Sequence, residues 1–291
     1  MFLPIIAEVQ FQKEAIIVKF EERVVRPTDW DSSFSLLDFF GQSLAIAEVE
    51  FKKLIRDPAE LFSRAVQPIL WLVIFGQVFS RVRGIPTGNI SYLAFLCPGI
   101  LAQSVLFSAI FYGIAVIWER DLGIIHKLLV SPAHRSSLVL GKALAAGFRG
   151  VVQAMIIYIL AFLIRIEVRI TPKAVFGVLV AVILGSAVFS TFSLIIACIV
   201  KTRERFMGIG QVLTMPLFFA SNAIYPLALM PAWLQAFARV NPLTYLVDTL
   251  RGLMIEGGQS VYGFSFDFGV MVIIFIIMTS IAARLYPTLI R

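Results

Sequence analysis

Few residues in this chain have the types and spacing that make or break bonds. Gly141-Lys142-Ala143 is the nearest approach to a phosphate-cradling loop, and it lacks both the earlier glycine and the following hydroxyl that such a loop needs. His126 has no cluster of carboxylates or thiols beside it, so it reads as a surface residue and not as a metal ligand. Cys97 and Cys198 each lie inside an apolar run and read as small buried hydrophobes without disulfide, metal or redox work. An intramembrane transferase or protease would need convergent polar groups at membrane depth, yet the apolar runs hold mainly Ser, Thr, Gln and Tyr, singly placed. Arg149 stands about 7–8 Å into one such run at 1.5 Å per helical residue. It reads as a side chain that snorkels to the interface, with a charge facing a pathway as the alternative. No catalytic residue, metal ligand or resident cofactor is assigned; what remains is the chemistry of contact.

The elements that present those contacts follow from composition. Hydrophobic residues make up 59% of the 291 and charged residues 15%, against about 45–50% and 25% in soluble domains. The apolar residues come in blocks long enough to cross about 30 Å of hydrocarbon as helices. Six spans are expected, near Leu61–Phe79, Tyr92–Trp118, Leu144–Ile164, Val175–Val200, Met207–Tyr225 and Phe268–Leu285. The fold class is therefore an all-α polytopic membrane protein. With the N-terminus inside, sixteen Lys and Arg fall in inner segments and seven in outer loops, which puts both termini in the cytoplasm. That bias accounts for the net charge of +7 without nucleic acid. Phe2–Ala7 is too short for the core of a cleavable signal, and Glu8 follows it. Gly177, Ala181 and Gly185 form a small-residue stripe of the kind that lets helices approach closely.

Three segments outside the spans carry more information. Leu36, Phe40, Leu44, Ala47, Phe51 and Leu54 recur at three- and four-residue steps, with Asp38, Gln42, Glu48, Lys52 and Lys53 on other faces. This is an amphipathic helix ended by Pro58, lying in the interface plane or packed on a soluble partner. Between spans two and three, Leu122, Ile125 and Leu129 share a helical face with Leu128 beside them, Glu119, Arg120, His126 and Lys127 stay polar, and Pro132 stops the helix. Such a helix lies on the membrane or inserts into a cytoplasmic partner. Between spans five and six, Met230–Phe237 is a short helix bearing Trp233. Asn241 then caps a second helix that runs from Pro242 to Glu256 and ends at Gly257-Gly258. Asp248 and Arg251 can pair on its polar side. Neither helix crosses the hydrocarbon, so the pair is expected to dip into the outer leaflet as a re-entrant gate or to lie as a lid.

The chain resembles the permease subunit of type-2 exporter ABC transporters, nearest the daunorubicin-resistance-like branch. Three stretches carry the resemblance. They are Arg56-Asp57-Pro58 with Gln67-Pro68-Ile69-Leu70 and Phe75–Phe79; Glu119-Arg120-Asp121-Leu122-Gly123 through Leu128-Leu129-Val130-Ser131-Pro132; and Ser221, Pro226 and Met230–Leu234 with Asn241-Pro242-Leu243-Thr244-Tyr245 and Val247-Asp248 to Arg251. The resemblance implies a connecting helix over 36–57, marked by Phe40, Phe51 and Arg56, and a six-span exporter domain over 58–291; residues 1–35 have no counterpart in it. It implies that Glu119, Arg120, Asp121, Leu122, Ile125, Leu128, Leu129, Ser131 and Pro132 couple to an ATP-binding subunit, and that Trp233, Asn241, Tyr245, Asp248 and Arg251 belong to the outer gate. Two permeases, expected as a homodimer, would meet two ATPase subunits that hold ATP and Mg in a prokaryotic cytoplasmic membrane. The expected cargo is a hydrophobic drug or lipid, with polysaccharide or glycolipid as the alternative.

Overall fold

A computed structural model describes residues 36–56, 66–80, 90–130, 134–200 and 202–290. The readings for residues 1–35, for the first residues of span one, and for Ser131 and Pro132 lie outside the described residues. The described chain is helical. Its helices are α1 (Leu36–Arg56), α2 (Val66–Ser80), α3 (Tyr92–Asp121), α4 (Ile124–Val130), α5 (Arg135–Leu163), α6 (Pro172–Ile199), α7 (Arg203–Phe219), α8 (Ala232–Val240), α9 (Pro242–Met254) and α10 (Phe264–Leu285). A 3-10 turn, Tyr286–Ile290, continues α10.

Four helices, Tyr92–Asp121, Arg135–Leu163, Pro172–Ile199 and Phe264–Leu289, are long and apolar enough to cross a membrane. The first and fifth expected spans are helical but shorter. α2 is described only over Val66–Ser80, and α7 has 17 residues with Arg203, Glu204 and Arg205 in its first turn. Large apolar side chains left exposed on α5, α6 and α10, among them Ile159, Phe162, Phe176, Ile273 and Ile276, form the surface that hydrocarbon would cover.

α6 sits at the centre, packed on α3, α5, α9 and α10. Its small residues make this possible. Gly177 faces Leu253 and Gly185 faces Leu246, so the small-residue stripe receives the leucines of α9. On another side Gly150 of α5 closes onto Val182 and Ser186. Ser193 joins α6 to α3 by donating to the Ile110 carbonyl and accepting from the Gly113 N–H at 3.1 Å.

α1 packs along α5, with Ser43, Ile46, Ala47, Glu50 and Leu54 buried. Phe40, Leu44, Phe51 and Ile55, by contrast, are exposed. The expected apolar stripe is thus divided: Ala47 and Leu54 serve the protein, and the phenylalanines and Leu44 face outward where a membrane surface would lie. Gly141 lets the two helices touch, since a Cβ there would come 2.8 Å from the Ser43 carbonyl. Gln42 completes the start of α5, its side-chain oxygen accepting from the His134 N–H at 3.1 Å and the Ser137 hydroxyl at 3.0 Å.

Gly99 of α3 meets backbone, with the Ala223 carbonyl oxygen 2.3 Å from where a Cβ would stand, whereas Gly208 of α7 has nothing within 4 Å. Gly99→Ala is expected to cost on the order of 1–3 kcal/mol or more by overpacking, and Gly208→Ala to gain about 0.5–1 kcal/mol by lowering chain entropy. Thermal unfolding of the detergent-solubilised protein reads both.

Candidate functional site

α3 runs through Asp121, Leu122 caps it, and Gly123, at φ 72°, turns the chain into α4. Ile125 is fully buried in an apolar cluster with Val116, Ile117, Tyr286 and Leu289, and Leu128 packs on the cluster's edge. Leu122 is 63% exposed, and His126 and Lys127 also face outward. The face expected to join Leu122 to Ile125 therefore does not exist. The positive φ at Gly123 starts a new helix after Leu122, so Ile125 points into the bundle and Leu122 away from it. Leu129 falls within α4.

Behind this turn lies an ion network, buried except at Lys53, whose side chain is 50% exposed. Glu119, 7% exposed, accepts from Lys142 of α5 at 2.6 Å and from Lys53 of α1 at 2.9 Å. Lys53 also reaches Glu50 at 2.9 Å, and Glu50 lies 3.9 Å from Lys142 and 3.7 Å from Arg149. Burial on its own pushes the Glu50 carboxyl up, but Lys142 and Lys53 outweigh it and hold the group well below the usual carboxylate range. Burial likewise works against the Lys53 charge, and Glu119 and Glu50 overcome it, so its pKa is raised. The other side of the turn is held by α7. Arg203 bonds Asp121 at 2.8 Å and stacks over the Trp118 ring at 3.5 Å, and Arg120 bonds Asp121 at 2.9 Å.

In the segment between α7 and α10, α9 is enclosed by the bundle. Asn241 caps α9 by accepting from the Leu243 N–H at 3.0 Å and donates to the Leu217 carbonyl at 2.7 Å. Leu243, Leu246, Val247, Leu250 and Met254 are fully buried, but so are Thr244, Asp248 and Thr249. Asp248 and Arg251 do not pair. Asp248 accepts from the N–H groups of Val261 at 2.8 Å and Tyr262 at 3.1 Å, and from the Ser260 hydroxyl at 3.0 Å. Arg251 donates to the Asn222 carbonyl at 2.6 Å and covers the Phe95 ring at 3.8 Å. With α3, α6 and α10 packed around it, α9 has no solvated polar side on which the pair could meet. The helix ends at Met254, earlier than Glu256, because Ile255 bridges to Val168. Tyr245 donates to the Arg239 carbonyl, while Trp233 on α8 is 72% exposed.

Residues 41–255 match the family described as ABC-2 type transporter. The chain belongs to the ABC-2 type transporter family. Its relatives include the ycf38 transport permease of Cyanophora paradoxa, 29% identical over 273 residues that cover 89% of this chain and 92% of the relative. They include a doxorubicin resistance ABC transporter permease, DrrC, of Mycobacterium tuberculosis, 27% identical over 226 residues, 75% of this chain and 79% of the relative. They also include the daunorubicin resistance ABC transporter permease DrrB1 of Streptomyces coeruleorubidus, 25% identical over 198 residues, 68% of this chain and 69% of the relative.

The chain is thus a multi-pass membrane permease of an ABC transporter, a transport component. Sequence reasoning missed the ion network of this permease. In the sequence Lys142 stands out only within Gly141-Lys142-Ala143, and Glu50 is not among the polar positions that mark the amphipathic helix. Arg149 does not snorkel: it is 5% exposed, with its guanidinium over the Tyr112 ring at 4.3 Å and Glu50 close by. Glu50 at an otherwise buried helical position of α1 is the one signal the sequence held.

Removing one partner of a buried pair strands the other charge, so Lys142→Met is expected to cost on the order of 3–5 kcal/mol. Lys52→Ala, which breaks only the exposed pair with Glu48, should cost less than about 1 kcal/mol. Because the folded-state pKa of Glu50 is depressed, its stabilisation is complete above the ordinary Glu value of about 4.3 and drains as pH falls below it. Melting curves across that range should show a steeper acid loss for the wild type than for Glu50→Gln.

Proposed function

We propose that this permease exports a hydrophobic or amphipathic substrate and is driven by a separate subunit that binds ATP and Mg. The observation that carries this reading is the seating of α4. One face is locked to the bundle by Ile125, and Leu122, His126 and Lys127 stand outward at the same end. An exposed leucine flanked by polar side chains suits a groove on a partner, and burying it contributes about 1.5–3 kcal/mol. The turn is also tied to α1 and α5 through Glu119 and to α7 through Asp121 and Trp118. A push on α4 from closing ATPase subunits would then move the ends of several helices together, a rigid-body form of alternating access.

In this reading two permeases meet two ATPase subunits in a prokaryotic cytoplasmic membrane, and six spans leave both termini in the cytoplasm. Residues 1–35 are a cytoplasmic segment, 36–57 the connecting helix and 58–291 the transmembrane domain. Phe40, Phe51 and Arg56 rest on the lipid surface, and α8 and α9 form the outer gate, with Trp233 at the interface. Family membership and the relatives' names support the ABC assignment.

Leu122→Asp is expected to abolish copurification of the ATPase subunit while leaving the melting temperature of the permease alone unchanged. Ile125→Asp should instead reduce folded yield, because it buries an unpaired charge. Retention of the ATPase by the Leu122 variant would refute the coupling role. In a cysteine-free background, single cysteines at His134 and Gly258 should be labelled by impermeant reagents from opposite sides of the membrane. Labelling from one side would refute the six-span topology.

A further inference from the structure

A cleft of 660 Å³ opens between α2, α3 and α5, a size typical of small-molecule sites. Phe107 and Phe111, with ring centroids 6.0 Å apart, line it together with Trp118, and Gln67 and Gln103 bring amides to the wall. Among the described residues that line it, a single one is charged, Arg149. Glu50, 3.7 Å from Arg149 in the ion network, does not line the wall. The Tyr112 ring at 4.3 Å holds the guanidinium in place. From Gln103 to Trp118 the cleft follows about 22 Å of α3 at 1.5 Å per residue, and Trp118 stands beside the turn into α4.

From this geometry we propose that the cleft binds an anionic amphiphile. A phosphate or carboxylate head sits at Arg149 and an apolar body lies along Phe107 and Phe111. The inference rests on the reading of the chain as an exporter permease and names the charge class of its cargo. A guanidinium offers forked N–H donors that match a phosphate or carboxylate, and the positive wall repels an amphiphilic cation of the same shape. The Trp118 end of the cleft lies beside the turn that carries the proposed ATPase contact, so bound cargo sits where the push arrives.

Radiolabelled dodecyl phosphate, added to the purified permease in phosphatidylcholine nanodiscs, tests the site, with empty nanodiscs as the blank. Saturable binding is expected, displaced by unlabelled dodecyl phosphate but at least tenfold less well by dodecyltrimethylammonium or by inorganic phosphate. The paired variant Glu50→Gln with Arg149→Gln removes the cation together with the carboxylate beside it, leaves Lys53 and Lys142 on Glu119, and should weaken binding at least tenfold. Ser104→Trp fills the cleft without touching a charge and should do the same, so a paired variant that fails to fold leaves the test decisive. Equal displacement by the cation, equal displacement by inorganic phosphate, or unchanged binding in a folded variant would each overturn the proposal. The assay contains no ATPase subunit. Loss of the ATPase contact would therefore sink the exporter reading and leave this site standing, and the reverse holds equally.

Discussion

A carboxylate at the end of a membrane-spanning helix must be either solvated or paired, and Glu119 is paired. At 7% exposure it has given up water, and an unpaired charge there would cost far more than any apolar contact nearby returns. Lys142 and Lys53 supply the compensation from two other helices. That requirement fixes the relative positions of α1, α3 and α5 at one end of the bundle. It also explains why α1, a helix with an outward apolar face, carries a buried glutamate on its inner one.

The remaining contacts follow from that arrangement. α1 lies close enough to α5 for Gln42 to bond His134 and Ser137 at its start and for Gly141 to touch the Ser43 backbone. α5 in turn presents Gly150 to α6, whose other small residues receive α9. The two ends of the molecule are therefore held by different means. At one end charges bind helices across the turn, and at the other the leucines of α9 fill a groove of small residues and its polar atoms take backbone partners. The first is directional, and the second depends on volume.

Much of this was legible in the sequence, in proportion to how local its cause is. The four long helices, the Asn241-Pro242 start of α9 and the packing role of Gly177 and Gly185 follow from length, capping and spacing within one element. The Glu50–Lys142 and Glu119–Lys142 contacts join residues far apart in the chain, and nothing in one sequence marks them as partners. Even the local pattern failed where two surfaces compete for one helix. The periodicity of α1 gave a single apolar face, yet protein and outward faces share it. At Gly123 a positive φ, invisible to a count of apolar positions, separated Leu122 from Ile125.

In the proposed coupling the ion network ties α1 to the end of α3 and Ile125 seats α4 on the same end of the bundle, so α1 and α4 shift together when the ATPase subunits bind ATP. Spin labels at Lys52 and Lys127, both exposed, measure the separation directly by double electron–electron resonance in the assembled transporter, without nucleotide and in an ATP-trapped state. This distance should hold within about 2 Å, the scale of a small helix shift, while α4 moves against a label on α8. A change between Lys52 and Lys127 of about 5 Å or more, the scale of one helix sliding a turn past another, would contradict it.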